Sequence, residues 1–72
     1  MSKLAIGTRV QIMGGGMKEF RRKTGTVIEN DYRDGNVRMY RVRLDEPVTI
    51  VGVGEVNDDL WAGRFLKRER MS

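Results

Sequence analysis

Val37 to Leu44 is the stretch that most restricts how this chain can fold. Tyr40, Val42 and Leu44 fall on one face, and Met39, Arg41 and Arg43 on the other. That two-residue period is what a half-buried strand requires. Arg38 falls on the Tyr40 face, at the exposed start of the run. Thr8 to Met13 repeats the pattern, with Val10 and Ile12 opposite Arg9 and Gln11. Thr24 to Glu29, rich in β-branched residues, reads as another strand, in which Gly25 marks a bulge or a close backbone approach. Val48 to Val53 is a fourth apolar run, too short for a helix, buried on both faces or meeting another chain.

Turn residues separate these runs. Gly14-Gly15-Gly16 ends the first strand. The segment from Asn30 to Asn36 supplies turn chemistry around Asp34-Gly35, where both residues tolerate positive φ. Asp45-Glu46-Pro47 is expected to end the third strand, since proline fixes φ and lacks an N–H. Asn57 to Gly63 reads as one helical turn, capped by Asn57 or Asp58, ended by Gly63 and held by Leu60 and Trp61 packing inward. Asp58-Asp59 is then N-terminal helix charge. Phe65 and Leu66 begin a short last strand. The expected fold is therefore all-β: a small SH3-like barrel of about five strands, with a one-turn helix before the last strand. Residues 1–72 form one domain.

At 72 residues, a single core is barely sufficient, so the sheet must close tightly, pack a partner chain, or both. The absence of cysteine removes disulfides and thiolate metal sites, and the absence of histidine removes most zinc sites and the usual general base. No nucleophile–base pair or metal cluster is visible, so no catalytic residue, metal or cofactor is assigned. The N-terminal residues carry no signal-peptide pattern, and no apolar run approaches a membrane span. A soluble, cytoplasmic protein is the default expectation.

The net charge of +4 fits an anionic partner, and equally a merely soluble surface. Its distribution says more. Residues 18–23, 38–43 and 64–70 each sum to +3, whereas residues 45–59 hold five acids and no base. Lys18, Arg21, Arg22 and Lys23 surround Phe20 in a segment with two readings. It is a solvated loop with Phe20 tucked inward, or a phosphate-contacting loop whose Phe20 stacks on a base. Arg41 and Arg43 either track a phosphate backbone or pair with acids of a neighbouring strand, the second being preferred because Asp45 and Glu46 follow at once. The triple glycine lacks the rest of the P-loop pattern, and a loop reading outweighs an anion cradle. The basic tail, Arg64 to Arg70, reads as a solvated end.

Lys23-Thr24-Gly25-Thr26-Val27, preceded by the Val10/Ile12 strand and the glycine loop, resembles a KOW-type motif, with Gly25 as the matching glycine. The resemblance covers residues 7–29, and the remainder resembles an SH3-like barrel only by strand order. It implies contact with RNA, DNA or protein partners through the basic loop, and so supports Lys18, Arg21, Arg22 and Lys23. The Met17–Arg22 insertion is long for such a loop. The preferred expectation is a non-catalytic module that binds nucleic acid, followed by one that binds a protein or self-associates as a homo-oligomer. A remoter resemblance is to type II dihydrofolate reductases, tetrameric SH3-like barrels with a late Val-Gln-Ile-Tyr signature. Here Val10-Gln11-Ile12-Met13 stands in the first strand and lacks the tyrosine.

Overall fold

The structure, a computed structural model, describes residues 3–69. Met1 and Ser2, on which part of the targeting expectation rests, lie outside the described residues, as does Arg70 of the basic tail. The described residues are all-β, with five antiparallel strands: β1 (Arg9–Ile12), β2 (Thr24–Asp34), β3 (Val37–Ile50), β4 (Gly54–Ala62) and β5 (Leu66–Arg68). They form one sheet in the order β4-β3-β2-β1-β5, curled into a small barrel-like body. Two single 3-10 turns, Lys18–Phe20 and Gly63–Phe65, complete the chain. Among the described residues, no helix is long and apolar enough to cross a membrane.

The alternating positions do what their period demands. Val10, Ile12, Val27, Tyr40, Val42 and Leu44 are buried, and Phe20, Ile50 and Trp61 join them in one core. The Phe20 ring meets Trp61 edge-on, with centroids 5.2 Å apart, an arrangement that aromatic quadrupoles favour. β1 is the hinge of the closure, since it pairs with β2 through Arg9↔Thr26 and with β5 through Ile12↔Leu66.

Gly25 sits where β2 crosses between β1 and β3, opposite Val10 and Leu44. A Cβ there would collide with the Arg43 carbonyl oxygen and the Val42 side chain. The close-approach reading of this glycine therefore holds, and the register shifts of β2 fall later, beyond Val27.

Other expectations shift. The β2–β3 hairpin closes at Asp34↔Val37, so its two-residue loop is Gly35-Asn36 rather than Asp34-Gly35. Gly35 takes φ 64° at the first central position, as a type II′ turn requires. Pro47 does not end β3. The strand runs on to Ile50, and Pro47 lies in an irregular stretch between the Arg43↔Asp58 and Val48↔Val56 pairs, where no ladder bond is asked of it. The apolar run Val48–Val53 is divided: its first half finishes β3, and Val51-Gly52-Val53 forms the turn into β4.

The helical turn expected at Asn57–Gly63 is instead strand. Trp61 pairs opposite Tyr40 and Leu60 opposite Arg41, so cross-strand burial of two aromatics overrides the local capping signal of Asn57 and Asp58. The one-turn helix before the last strand does exist, displaced to Gly63–Phe65.

Gly25→Ala should cost about 3 kcal/mol, at the upper end for overpacking, because backbone rather than a mobile side chain blocks the new methyl. Urea denaturation checks it. A variant as stable as the parent would mean that the strands separate there at little cost.

Candidate nucleic-acid interface

The basic segment between β1 and β2 is a hydrogen-bonded turn stitched to β1. The Arg22 N–H donates to the Ile12 carbonyl at 2.6 Å, and the Ile12 N–H to the Lys23 carbonyl at 2.8 Å. Lys23 N–H closes onto the Phe20 carbonyl at 3.1 Å. Arg21, at φ −62° and ψ 130°, and Arg22, at φ 69°, are the central residues of this type II turn. The second seat normally belongs to glycine, because a side chain there crowds the next carbonyl. The Gln11 side-chain amide donates to the Arg22 carbonyl at 3.2 Å and braces the turn from the sheet.

Lys18, Arg21, Arg22 and Lys23 are all exposed, and none forms an ion pair among the described residues. Phe20 must be removed from the candidate contacts. It is only 4% exposed and belongs to the core, so it offers no face to a base. The inward-tucked reading is the correct one.

Two cations on the strands, Arg9 and Arg41, are handled differently. Arg9 holds Asp45 with two parallel hydrogen bonds of 2.5 and 2.6 Å, donates to Thr26 Oγ1 at 3.0 Å and pairs with Glu69 at 3.1 Å. Thr24 Oγ1 adds a third hydrogen bond to Asp45. Hydrogen bonds from Arg9 first, and Thr24 second, pull the Asp45 carboxyl from 3.8 to about 2. The same pairing, led by the hydrogen bond to Asp45, raises the Arg9 guanidinium pKa above its ordinary value.

Arg41 bonds Glu29 of β2 and, at 2.9 Å, Asp58 of β4. These hydrogen bonds, Glu29's first, raise its pKa. The cross-strand reading of Arg41 is therefore correct, although its partners are not the Asp45 and Glu46 that follow in sequence. Arg43, opposite Asp58 in register, is exposed and without an ion pair among the described residues, because that carboxylate turns to Arg41.

The structure also brings in a residue that the sequence reading left in the tail. Lys67 lies opposite Gln11 in the β1–β5 ladder and so shares its outward face, beside the braced turn. Nothing local marks Lys67; only the pairing of the two ends of the barrel places it. On another side, Glu46 borders a shallow hollow of about 190 Å³ with Arg22 and Lys23 and offsets part of their charge. The glycine loop packs against the Phe65 ring, which would overlap a side chain at Gly15. Val10 and Ile12 are fully buried, and Gln11 is engaged with Arg22, so these three residues support the turn.

Two outcomes follow from this geometry. Arg22→Gly should raise stability slightly, because relief of left-handed strain (about 1–2 kcal/mol) exceeds the added flexibility of the unfolded chain (about 0.4–1 kcal/mol). A shift of the thermal midpoint reads it. Because the folded-state pKa of Asp45 is depressed, its contribution is complete above pH 3.8 and is lost as pH falls through about 2. The stability gap between the parent and Asp45→Asn should therefore be constant above that window and close within it. Urea midpoints taken across the range measure the gap. No protein-family model, curated protein or solved structure significantly matches the chain.

Proposed function

We propose that this protein is a non-catalytic binding module that contacts the phosphate backbone of nucleic acid through its basic turn. The observation that carries the reading is the concentration of four exposed cations on one braced loop, none of them in an ion pair among the described residues. Arg9 and Arg41 on the strands are spent on carboxylates. Lys18, Arg21, Arg22 and Lys23 stand exposed on a braced loop, with Lys67 alongside. Free cations on a rigid support attract polyanions by releasing condensed counterions, and they spend little entropy in doing so. Keeping arginine in a seat that favours glycine fits a side chain held for contact rather than for stability.

The KOW-type resemblance points the same way. Its glycine, Gly25, makes the close approach that such a turn-to-strand passage needs, and the strand order with a 3-10 turn before β5 accords with an SH3-like barrel. Burial of Phe20 moves the proposed contact away from base stacking and towards phosphate, which predicts weak sequence preference.

Fluorescence anisotropy with labelled single-stranded RNA, titrated at several salt concentrations, tests the proposal. Four phosphate contacts should give a slope of log K against log salt of about −3. Reversing Arg21 and Arg22 together should remove about half of that slope or abolish binding. Arg41→Ala should leave the slope unchanged, because that charge is already paired. RNA binding indifferent to salt, or unaffected by the double reversal, would sink the proposal.

A further inference from the structure

A second surface adjoins the basic segment on the side of Met17 and Phe20. Between the glycine loop and the β3–β4 hairpin runs a groove of about 220 Å³, floored by Phe20, Ile50 and Trp61 and walled by Met17 and Val53, with Asp59 at its rim. The apolar side chains around it are not withdrawn from water. Met17 is 51% exposed and Val53 71%, and Val51 at the hairpin tip is 94% exposed.

The floor carries an unused donor. Trp61 is only 2% exposed, but among the described residues no group accepts a hydrogen bond from its indole N–H and no side-chain nitrogen or oxygen is sealed off without a partner, so the little exposure the ring keeps includes this N–H at the groove floor. Gly16 is the reason. A Cβ at that position would stand 3.4 Å from Trp61 Nε1, and without one the donor keeps a narrow opening to the groove. Asp59 supplies the charge. Its Oδ1 accepts the Leu60 N–H at 2.8 Å, and no cation among the described residues pairs with it.

We propose that this groove binds an extended peptide segment carrying an aliphatic residue next to lysine or arginine. The aliphatic side chain fills the apolar volume, a backbone carbonyl accepts the Trp61 indole N–H, and the basic side chain meets Asp59. Charge selects this occupant. Asp59, the one charged residue lining the groove among the described residues, repels phosphate and favours a cation. An extended form is favoured because β4, which lines the groove, pairs among the described residues with β3 alone, so its other edge has no strand partner there.

The chain's single tryptophan makes the test direct. The nitrogen-15 NMR signal of the indole N–H is followed while a capped six-residue peptide alternating lysine and leucine is added. A saturable shift is expected, and the same peptide with glutamate in place of lysine should bind far more weakly. Gly16→Ala is tolerated by the backbone, since its Cβ meets only Trp61 Nε1 at 3.4 Å and the Phe20 ring at 3.9 Å. It should weaken binding about tenfold by covering the donor. Asp59→Asn should erase the preference for lysine over glutamate while leaving the thermal midpoint near that of the parent. An indole signal unmoved at saturating peptide, or Gly16→Ala binding as well as the parent, overturns the proposal. So does a shift that follows protein concentration without peptide, which would mean that a second copy fills the groove, or one produced by RNA instead.

Discussion

Everything in this small barrel depends on how closely β2 can pass β3 at Gly25. The chain has little apolar material to bury, and most of it lies in single residues on alternate positions of short strands. Those residues meet only if the sheet curls tightly, and tight curling brings the β2 backbone against the Arg43 carbonyl. One position without a side chain resolves the conflict. Val10, Val27 and Val42 on three neighbouring strands can then be fully buried together. Trp61 from β4 and Phe20 from the basic loop close the remaining space.

The outer face of the sheet follows a different logic. Strand pairing sets Arg9 near Asp45 and Glu69, and Arg41 between Glu29 and Asp58, so charges remote in sequence cancel in space. Exposed pairs of this kind add little stability one by one. Their larger effect is on the electric field. They neutralise Arg9 and Arg41, while the cations of the braced turn and strand residues such as Arg43 and Lys67 form no ion pair among the described residues. Asp59, without an ion pair among the described residues, lines the groove beside the β3–β4 hairpin, and none of the turn's cations lines that groove.

Much of this was legible in the residues, for stated reasons. Val10/Ile12 and Tyr40/Val42/Leu44 carry the strand period on their own, and Gly25 announced a close approach because it interrupts a β-branched run. What sequence misplaced depends on pairing. Asn57-Asp58-Asp59 looks like a helix cap until Trp61 is seen opposite Tyr40. Pro47 looks like a stop until the irregular stretch around it removes the need for its N–H. The direction of Phe20 could not be read from a basic cluster in which it is the one aromatic. Neither the partners of Arg41 nor the place of Lys67 beside Gln11 can be found without the strand register.

The ladder between β1 and β5 has a consequence for how the protein is made. Val10 pairs with Arg68 and Ile12 with Leu66, and the Met13 N–H is satisfied by the Phe65 carbonyl at 2.7 Å. A ribosome that has produced β1 to β4 therefore holds a chain whose first strand still has a bare edge. Nothing yet fills the seat of Leu66. Such a half-built sheet is the species most open to pairing with a neighbouring nascent chain. This architecture favours folding in a single late step, once residue 68 has left the exit tunnel, over assembly strand by strand during synthesis.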